Sequence, residues 1–173
     1  MALDLPEPAR AELARWRDAA TAGRSELRPV PEEQLHVTLV FLGGTPPAEV
    51  GGLWEAASAA ASGLRAPSLT AQGVRGVPGR RPRLFALDLE DAGDRAGRLH
   101  RRVAEALERT EERAFWPHVT LARVRRGARA RPLAVSEAVP FDAFTPPALT
   151  LYRSQPAPGG ARYTPLESLA LTA

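Results

Sequence analysis

From Leu35 to Leu42 the chain reads Leu-His-Val-Thr-Leu-Val-Phe-Leu and stops at Gly43-Gly44. β-Branched and apolar residues ended by a glycine pair predict a buried strand. Strand side chains alternate between faces, so Leu35, Val37, Leu39 and Phe41 share the face expected to enter the core. His36 and Thr38 share the other face, with Val40 and Leu42 beyond them. The word returns as His118-Val119-Thr120-Leu121, so a second strand presents an imidazole and a hydroxyl side by side.

The remaining pattern predicts strands and helices in alternation. Met1 to Leu5 reads as a strand, and a helix runs from Pro6-Pro8 to about Ala20, with Leu13, Trp16 and Ala20 on one face. A short strand at Leu27–Val30 and a turn at Pro31-Glu32-Glu33 lead into the first histidine strand. A second helix starts at Pro46-Pro47 and carries Leu53 and Trp54 on its way to about Leu64. Ser68–Val74 is a strand, Gly76–Pro82 a basic loop, and Arg83–Leu89 another strand. The helix from Gly93 to Arg109 has Leu99, Val103 and Leu107 as its apolar stripe, with His100 among Arg98, Arg101 and Arg102 on the expected solvent side. After a polar stretch from Arg123 to Arg131, strands close the chain at Val139–Phe144, Ala148–Ser154 and Ala161–Leu171, with a turn at Gly159-Gly160.

A repeat underlies this order. Ala2-Leu3-Asp4-Leu5 recurs as Ala86-Leu87-Asp88-Leu89, and each tetrad is followed by a helix and then a histidine strand. Two copies are too few for a solenoid. They predict an α+β fold: a bilobal, pseudo-two-fold duplication of two antiparallel sheets flanked by helices, with the His-Thr pairs facing across a central cleft. In the second copy Arg83-Leu84-Phe85 precedes the tetrad, whereas the first begins just after Met1, so the first strand is expected to be clipped short.

Length and composition narrow the reading. At 173 residues one domain, 1–173, is expected. There is no long apolar run or signal peptide, so no membrane partner is expected and the cytoplasm is the simplest compartment. With no cysteine, disulfides and thiolate metal sites are excluded. The net charge is +3 and all 23 basic residues are arginine, a residue suited to phosphate. A monomer is expected.

Two histidines and two threonines suit one chemistry. Imidazole changes charge near neutrality, so one histidine can take a proton while the other gives one. Two such groups flanking one phosphorus suffice to cleave a cyclic phosphodiester, with Thr38 and Thr120 as donors to the phosphoryl oxygens. Two histidines are too few to hold a metal without a carboxylate, and neither strand carries one, so no metal and no cofactor are expected. Trp116 and Tyr152 each suit either base stacking or core packing.

The paired His-Val-Thr-Leu words resemble the H-x-T-x motifs of the 2H phosphoesterase superfamily. Within it, the chain is similar to the RNA 2′,3′-cyclic phosphodiesterases, long called 2′-5′ RNA ligases. The likeness covers nearly the whole chain and includes Ala2 to Pro6, Leu35 to Gly43, Arg81-Pro82-Arg83, Pro117 to Arg123, Leu151 to Ser154 and Gly160 to Tyr163. It implies metal-independent hydrolysis of RNA ends bearing a 2′,3′-cyclic phosphate, tRNA fragments included, with ligation of 2′-5′ linkages as a reverse activity. It implies His36 as proton donor, His118 as proton acceptor, and Thr38, Thr120 and Arg123 as phosphate ligands. By strict alternation Arg123 falls opposite His118, so it needs a bulge or the strand's end to reach a phosphate. Relatives carry a basic residue where this chain has Val40, which implies a weaker phosphate grip. The basic loops favour a polymer over the alternative substrate, a small cyclic nucleotide. A non-catalytic RNA-binding module is the remaining alternative, and it would have no need of paired proton-transfer groups.

Overall fold

The computed structural model describes residues 1–109, 114–133, 143–157 and 160–172. In chain order its elements are β1 (Ala2–Asp4), α1 (Glu7–Thr21), β2 (Leu27–Pro29), a 3-10 turn at Glu32–Gln34, β3 (His36–Thr38), α2 (Pro47–Ala61), β4 (Leu69–Val77), β5 (Leu84–Asp91), α3 (Arg95–Ala106), β6 (His118–Val124), β7 (Ala143–Phe144), β8 (Ala148–Ala157) and β9 (Gly160–Ala170). α1 and α2 begin with proline in the first turn, where its missing N–H costs nothing. The expected helices and strands are present within a few residues. The strand expected at Val139–Phe144 falls mostly outside the described residues, as does Gly159 of the expected turn.

The class is α+β, as expected, but the sheet count is not. All nine described strands join one antiparallel sheet in the order β7-β4-β5-β6-β3-β1-β8-β9, with β2 paired to β6. The two histidine strands pair with each other, Val37 opposite Val119, and this fuses what the repeat suggested were two sheets.

Within that sheet the repeat survives as a register. β1 sets Ala2, Leu3 and Asp4 opposite Thr38, Val37 and His36. β5 sets Ala86, Leu87 and Asp88 opposite Thr120, Val119 and His118. The first three letters of the tetrad thus meet the same letters of the histidine word in both copies. Leu3, Val37, Leu87 and Val119 have no solvent exposure, and they share one apolar core with Leu13 and Trp16 of α1, Ala57 and Ala61 of α2, and Leu99 and Val103 of α3. The helices therefore cover one face of the central strands and leave the histidines on the other.

Two expected core assignments change. β3 ends at Thr38 because the amides of Leu39 and Val40 both donate to the Met1 carbonyl, at 3.0 and 3.2 Å. Two consecutive amides sharing one acceptor break the alternation. Leu39 and Val40 are then both buried, so Val40 leaves the His36 face for the core, while Phe41 swings out to 76% exposure. Among the described residues no helix is long and apolar enough to cross a membrane.

The register makes Leu3 and Leu87 equivalent packing positions in one core. Leu3→Ala and Leu87→Ala should each lower unfolding free energy by about 2–5 kcal/mol, read as a lower urea midpoint at unchanged slope.

Candidate active site

The Val37–Val119 pair fixes the site. Continuing its antiparallel register puts His36 across from Thr120 and Thr38 across from His118. The four polar side chains form the corners of a quadrilateral on the face away from the helices. The two imidazoles occupy one diagonal, for which sheet geometry gives roughly 7–8 Å.

Both imidazoles are oriented by the backbone in the same way. Nδ1 of His36 lies 2.8 Å from the Gln34 carbonyl, and Nδ1 of His118 lies 2.8 Å from the Trp116 carbonyl. A carbonyl only accepts, so in each ring Nδ1 carries the proton and donates. Nε2 is left as the reactive nitrogen. In His36 it lies 3.2 Å from Thr38 Oγ1, whose hydroxyl can donate to it. Burial pushes His36 down to about 4; the Gln34 carbonyl and the Asp4 carboxylate pull upward, while the Met1 ammonium, and a proton on His118 when it is there, add to the lowering. Burial also lowers His118, against the upward pull of the Trp116 carbonyl and Asp88. Both rings are therefore neutral at pH 7 in the free protein.

Arg123 reaches the site through a bulge. On β5, Phe85 and Ala86 are consecutive, but their partners on β6 are Ala122 and Thr120. Leu121 is the extra residue, and it is buried beside an equally buried Ala122. One inserted residue reverses the alternation, so Arg123 returns to the face of His118 and Thr120. It lines a cleft of about 300 Å³ with His36, Thr38, Thr120, Arg28 and Arg162. His118 is not on the wall of that cleft; register and stacking set its place beside it.

Arg28 lies across from Arg123 in the β2–β6 pair, and Arg162 comes from β9. Among the described residues none of the three arginines has an ion-pair partner. The Ala157–Gly160 end of the β8–β9 pair lies against Arg28: a Cβ on Gly160, at φ +133°, would stand 3.2 Å from the Arg28 guanidinium carbon. Glycine is favoured there by the positive φ. Arg28 and Arg162 are additions to the residues expected from sequence. With 23 arginines in the chain, nothing local sets these two apart.

The aromatic candidates are committed elsewhere. The Trp116 ring stacks on His118 at 3.8 Å and 14°, and the Arg75 guanidinium lies 4.2 Å from its centroid. A ring stacked on His118 and held by Arg75 is poorly placed to receive a base. Tyr152 stacks more loosely on His36, at 6.0 Å and 22°, and its hydroxyl donates to Asp4 Oδ1 at 2.7 Å. Burial and that hydrogen bond push the Tyr152 phenol upward, so it stays a donor. Tyr163, absent from the sequence expectation, meets His36 edge-on at 5.1 Å and 60°.

His100 corrects another expectation. It is 5% exposed rather than solvated, because it shares the buried face of α3 with Ala96, Leu99, Val103 and Ala104. Its Nδ1 donates to the Leu39 carbonyl at 2.7 Å and its ring stacks on Phe115 at 4.6 Å. It thereby pins the turn that ends β3. Among the described residues no three metal-ligating side chains gather in one place.

Residues 5–155 match the 2′-5′ RNA ligase superfamily. The chain belongs to that superfamily. A Geobacillus stearothermophilus protein named RNA 2′,3′-cyclic phosphodiesterase is 32% identical over 162 residues, covering 89% of this chain but 51% of its own, so the chain spans about half of that relative. An Escherichia coli protein of the same name is 32% identical over 99% of this chain and 94% of its own. Among solved structures, TT0787 of Thermus thermophilus superimposes with a TM-score of 0.77 at 30% identity, covering 98% of this chain and 95% of that one. E. coli LigT complexed with NADP+ gives 0.74 at 29%, with 99% and 96% covered.

The lowered histidine has a consequence for stability. Its folded pKa, about 4, lies below the unfolded value near 6.5, so the unfolded chain binds the extra proton between those limits. Unfolding free energy should therefore fall as pH drops from about 6.5 to 4, by roughly 3 kcal/mol from His36, with His118 acting in the same direction. Denaturant titrations across that range should show a shallower slope for His36→Gln.

Proposed function

We propose that this chain hydrolyses RNA 2′,3′-cyclic phosphate ends to 2′-phosphates, without a metal ion, by paired histidine catalysis. The observation that carries the reading is the diagonal of two imidazoles, each with Nδ1 held by a carbonyl. They share one face with two threonines and three arginines that have no ion-pair partner among the described residues. The names of the E. coli and Geobacillus relatives support the substrate class. A binding module has no use for two oriented proton-transfer groups.

In this mechanism His118 Nε2 takes a proton from water as the oxygen attacks phosphorus. The bond from phosphorus to the 3′ oxygen breaks, and His36 Nε2–H gives that oxygen its proton. The 2′ ester bond stays intact. The hydroxyls of Thr38 and Thr120 donate to the non-bridging oxygens, and Arg28, Arg123 and Arg162 offset their charge. The bound anion raises both imidazole pKa values and so supplies the protonated donor. A 5′-hydroxyl entering in place of water gives the 2′-5′ linkage. One chain supplies both imidazoles and the phosphate ligands, so a monomer suffices. The repeated register supports reading the two halves as related by a pseudo-two-fold through the Val37–Val119 pair.

One observation favours exchanged roles. His36 is held at about 4 and is hydrogen-bonded through Nε2 in its neutral form, which suits an acceptor better than a donor. The base of the terminal nucleotide finds a wall next door: Phe41 and Tyr163 line an adjoining cleft of about 760 Å³ that shares His36 and Thr38 with the first.

The test is a short RNA ending in a 2′,3′-cyclic phosphate, incubated in EDTA. The wild type should leave a 2′-phosphate, and His36→Ala and His118→Ala should each lose about 10²–10⁴ in kcat. Activity that requires added metal, or survives both substitutions, removes the reading. Both histidines lie below the ordinary imidazole value, so kcat/KM should follow a bell-shaped profile whose maximum lies below pH about 6.5. Solvent-isotope and leaving-group effects measured on each histidine variant then separate the two role assignments. Phe41→Ala should raise KM by about 5- to 150-fold, the range for one lost base–aromatic stack, and leave kcat unchanged.

A further inference from the structure

The repeated tetrad contains a residue that the mechanism above does not use. Asp4 stands across the strand pair from His36, and Asp88 stands across from His118. Each carboxylate grips a ring that lies against its histidine. Asp4 Oδ1 accepts from the Tyr152 hydroxyl at 2.7 Å, and its Oδ2 accepts from Thr150 at 2.6 Å. Asp88 Oδ1 accepts from Trp116 Nε1 at 2.8 Å and from Arg75 Nε at 2.9 Å. Tyr152 then covers His36, and Trp116 covers His118.

The two rings do not descend from one repeated position. Trp116 precedes its histidine by two residues, and the corresponding residue of the other copy is Gln34. Gln34 supplies the equivalent carbonyl but no ring. The ring over His36 comes instead from Tyr152, on β8. What the halves share is the arrangement of carboxylate, aromatic plate and imidazole, assembled from different parts of the chain. A carbonyl on Nδ1 fixes one edge of an imidazole but leaves the ring free to tilt and to flip. A plate stacked at 3.8 Å removes that freedom for His118, and a charge-assisted hydrogen bond from the opposite strand keeps the plate in place.

We propose that Asp4 and Asp88 are positioning residues, each clamping an aromatic plate against one histidine so that Nε2 stays aimed at the reacting phosphorus. The inference deepens the proposed hydrolysis and rests on it for the word reacting; the clamping itself does not depend on it. Asp88 is the stronger clamp. Its plate is the closer of the two, and Arg75 backs that plate from a strand that pairs beside Asp88.

The test uses the ring nitrogens of His118, read by 15N NMR on the full chain without substrate, together with kinetics on the cyclic-phosphate RNA. In the wild type His118 should be a single Nδ1–H tautomer. Asp88→Ala should mix the tautomers and lower kcat about 10- to 100-fold, with KM changed by no more than about twofold. Asp88→Asn keeps an acceptor for the indole and should recover most of both readouts. In a Trp116→Phe background, which has no Nε1–H to grip, Asp88→Ala should add little. An unchanged tautomer in Asp88→Ala, or full additivity with Trp116→Phe, overturns the proposal. Mixed tautomers in a protein that turns over no cyclic phosphate would retain the clamp and discard the reaction.

Discussion

One backbone pairing carries the rest of the structure. Val37 and Val119 face each other across β3 and β6, both fully buried, and their hydrophobic contact with the three helices holds the middle of the sheet. Strand geometry then leaves no choice about their neighbours. If the valines point to the helices, His36, Thr38, His118 and Thr120 point away, two from each strand, on a diagonal plan. Core packing and site geometry are thus the same constraint seen from two faces. A one-residue slip between β3 and β6 would bury the histidines and expose the valines.

The same arrangement sets the electrostatics. The site lies on the back of a well-packed core, so the imidazoles are partly buried and held neutral. Neutral rings cost little to bury. The arginines of the adjoining cleft keep their charge without a counter-ion among the described residues, and an anion is their natural complement. The protein is therefore arranged as a field of positive charge beside two uncharged bases, and any anion entering there would raise the proton affinity of both.

Much of this was legible in the chain. The paired His-Thr words identified the corners of the site, and the tetrad identified the strands that flank them. The single sheet was not legible, because which strands become neighbours across 82 residues is decided by long-range pairing rather than by local pattern; the interval is that between His36 and His118. Phe41 departs from the face that strict alternation predicts because the Met1 carbonyl takes two successive amides before it. His100 has three arginines as sequence neighbours, which predict solvent, but its helical spacing to Ala96 and Ala104 marks the buried face. Asp4 and Asp88 were in view as letters of the repeat, but a carboxylate that acts through an aromatic ring leaves no spacing signature of its own.

The bulge at Leu121 bears on how such a site can have a direction. Two equivalent halves around one phosphorus would be indifferent to which oxygen enters and which departs. A strand counts its residues modulo two, and a single additional residue in β6 changes the parity of everything after it. β3 makes the same change of parity: the amides of Leu39 and Val40 share the Met1 carbonyl, both residues are buried, and Phe41 lines a cleft with His36 and Thr38. Arg123 is consequently delivered to one side of the site, and the equivalent position on the other side is the aromatic Phe41 rather than a cation. A directional centre can in this way be obtained from a duplicated framework by divergence of the one residue that the change of parity turns outward, while the shared His-Val-Thr-Leu word stays intact.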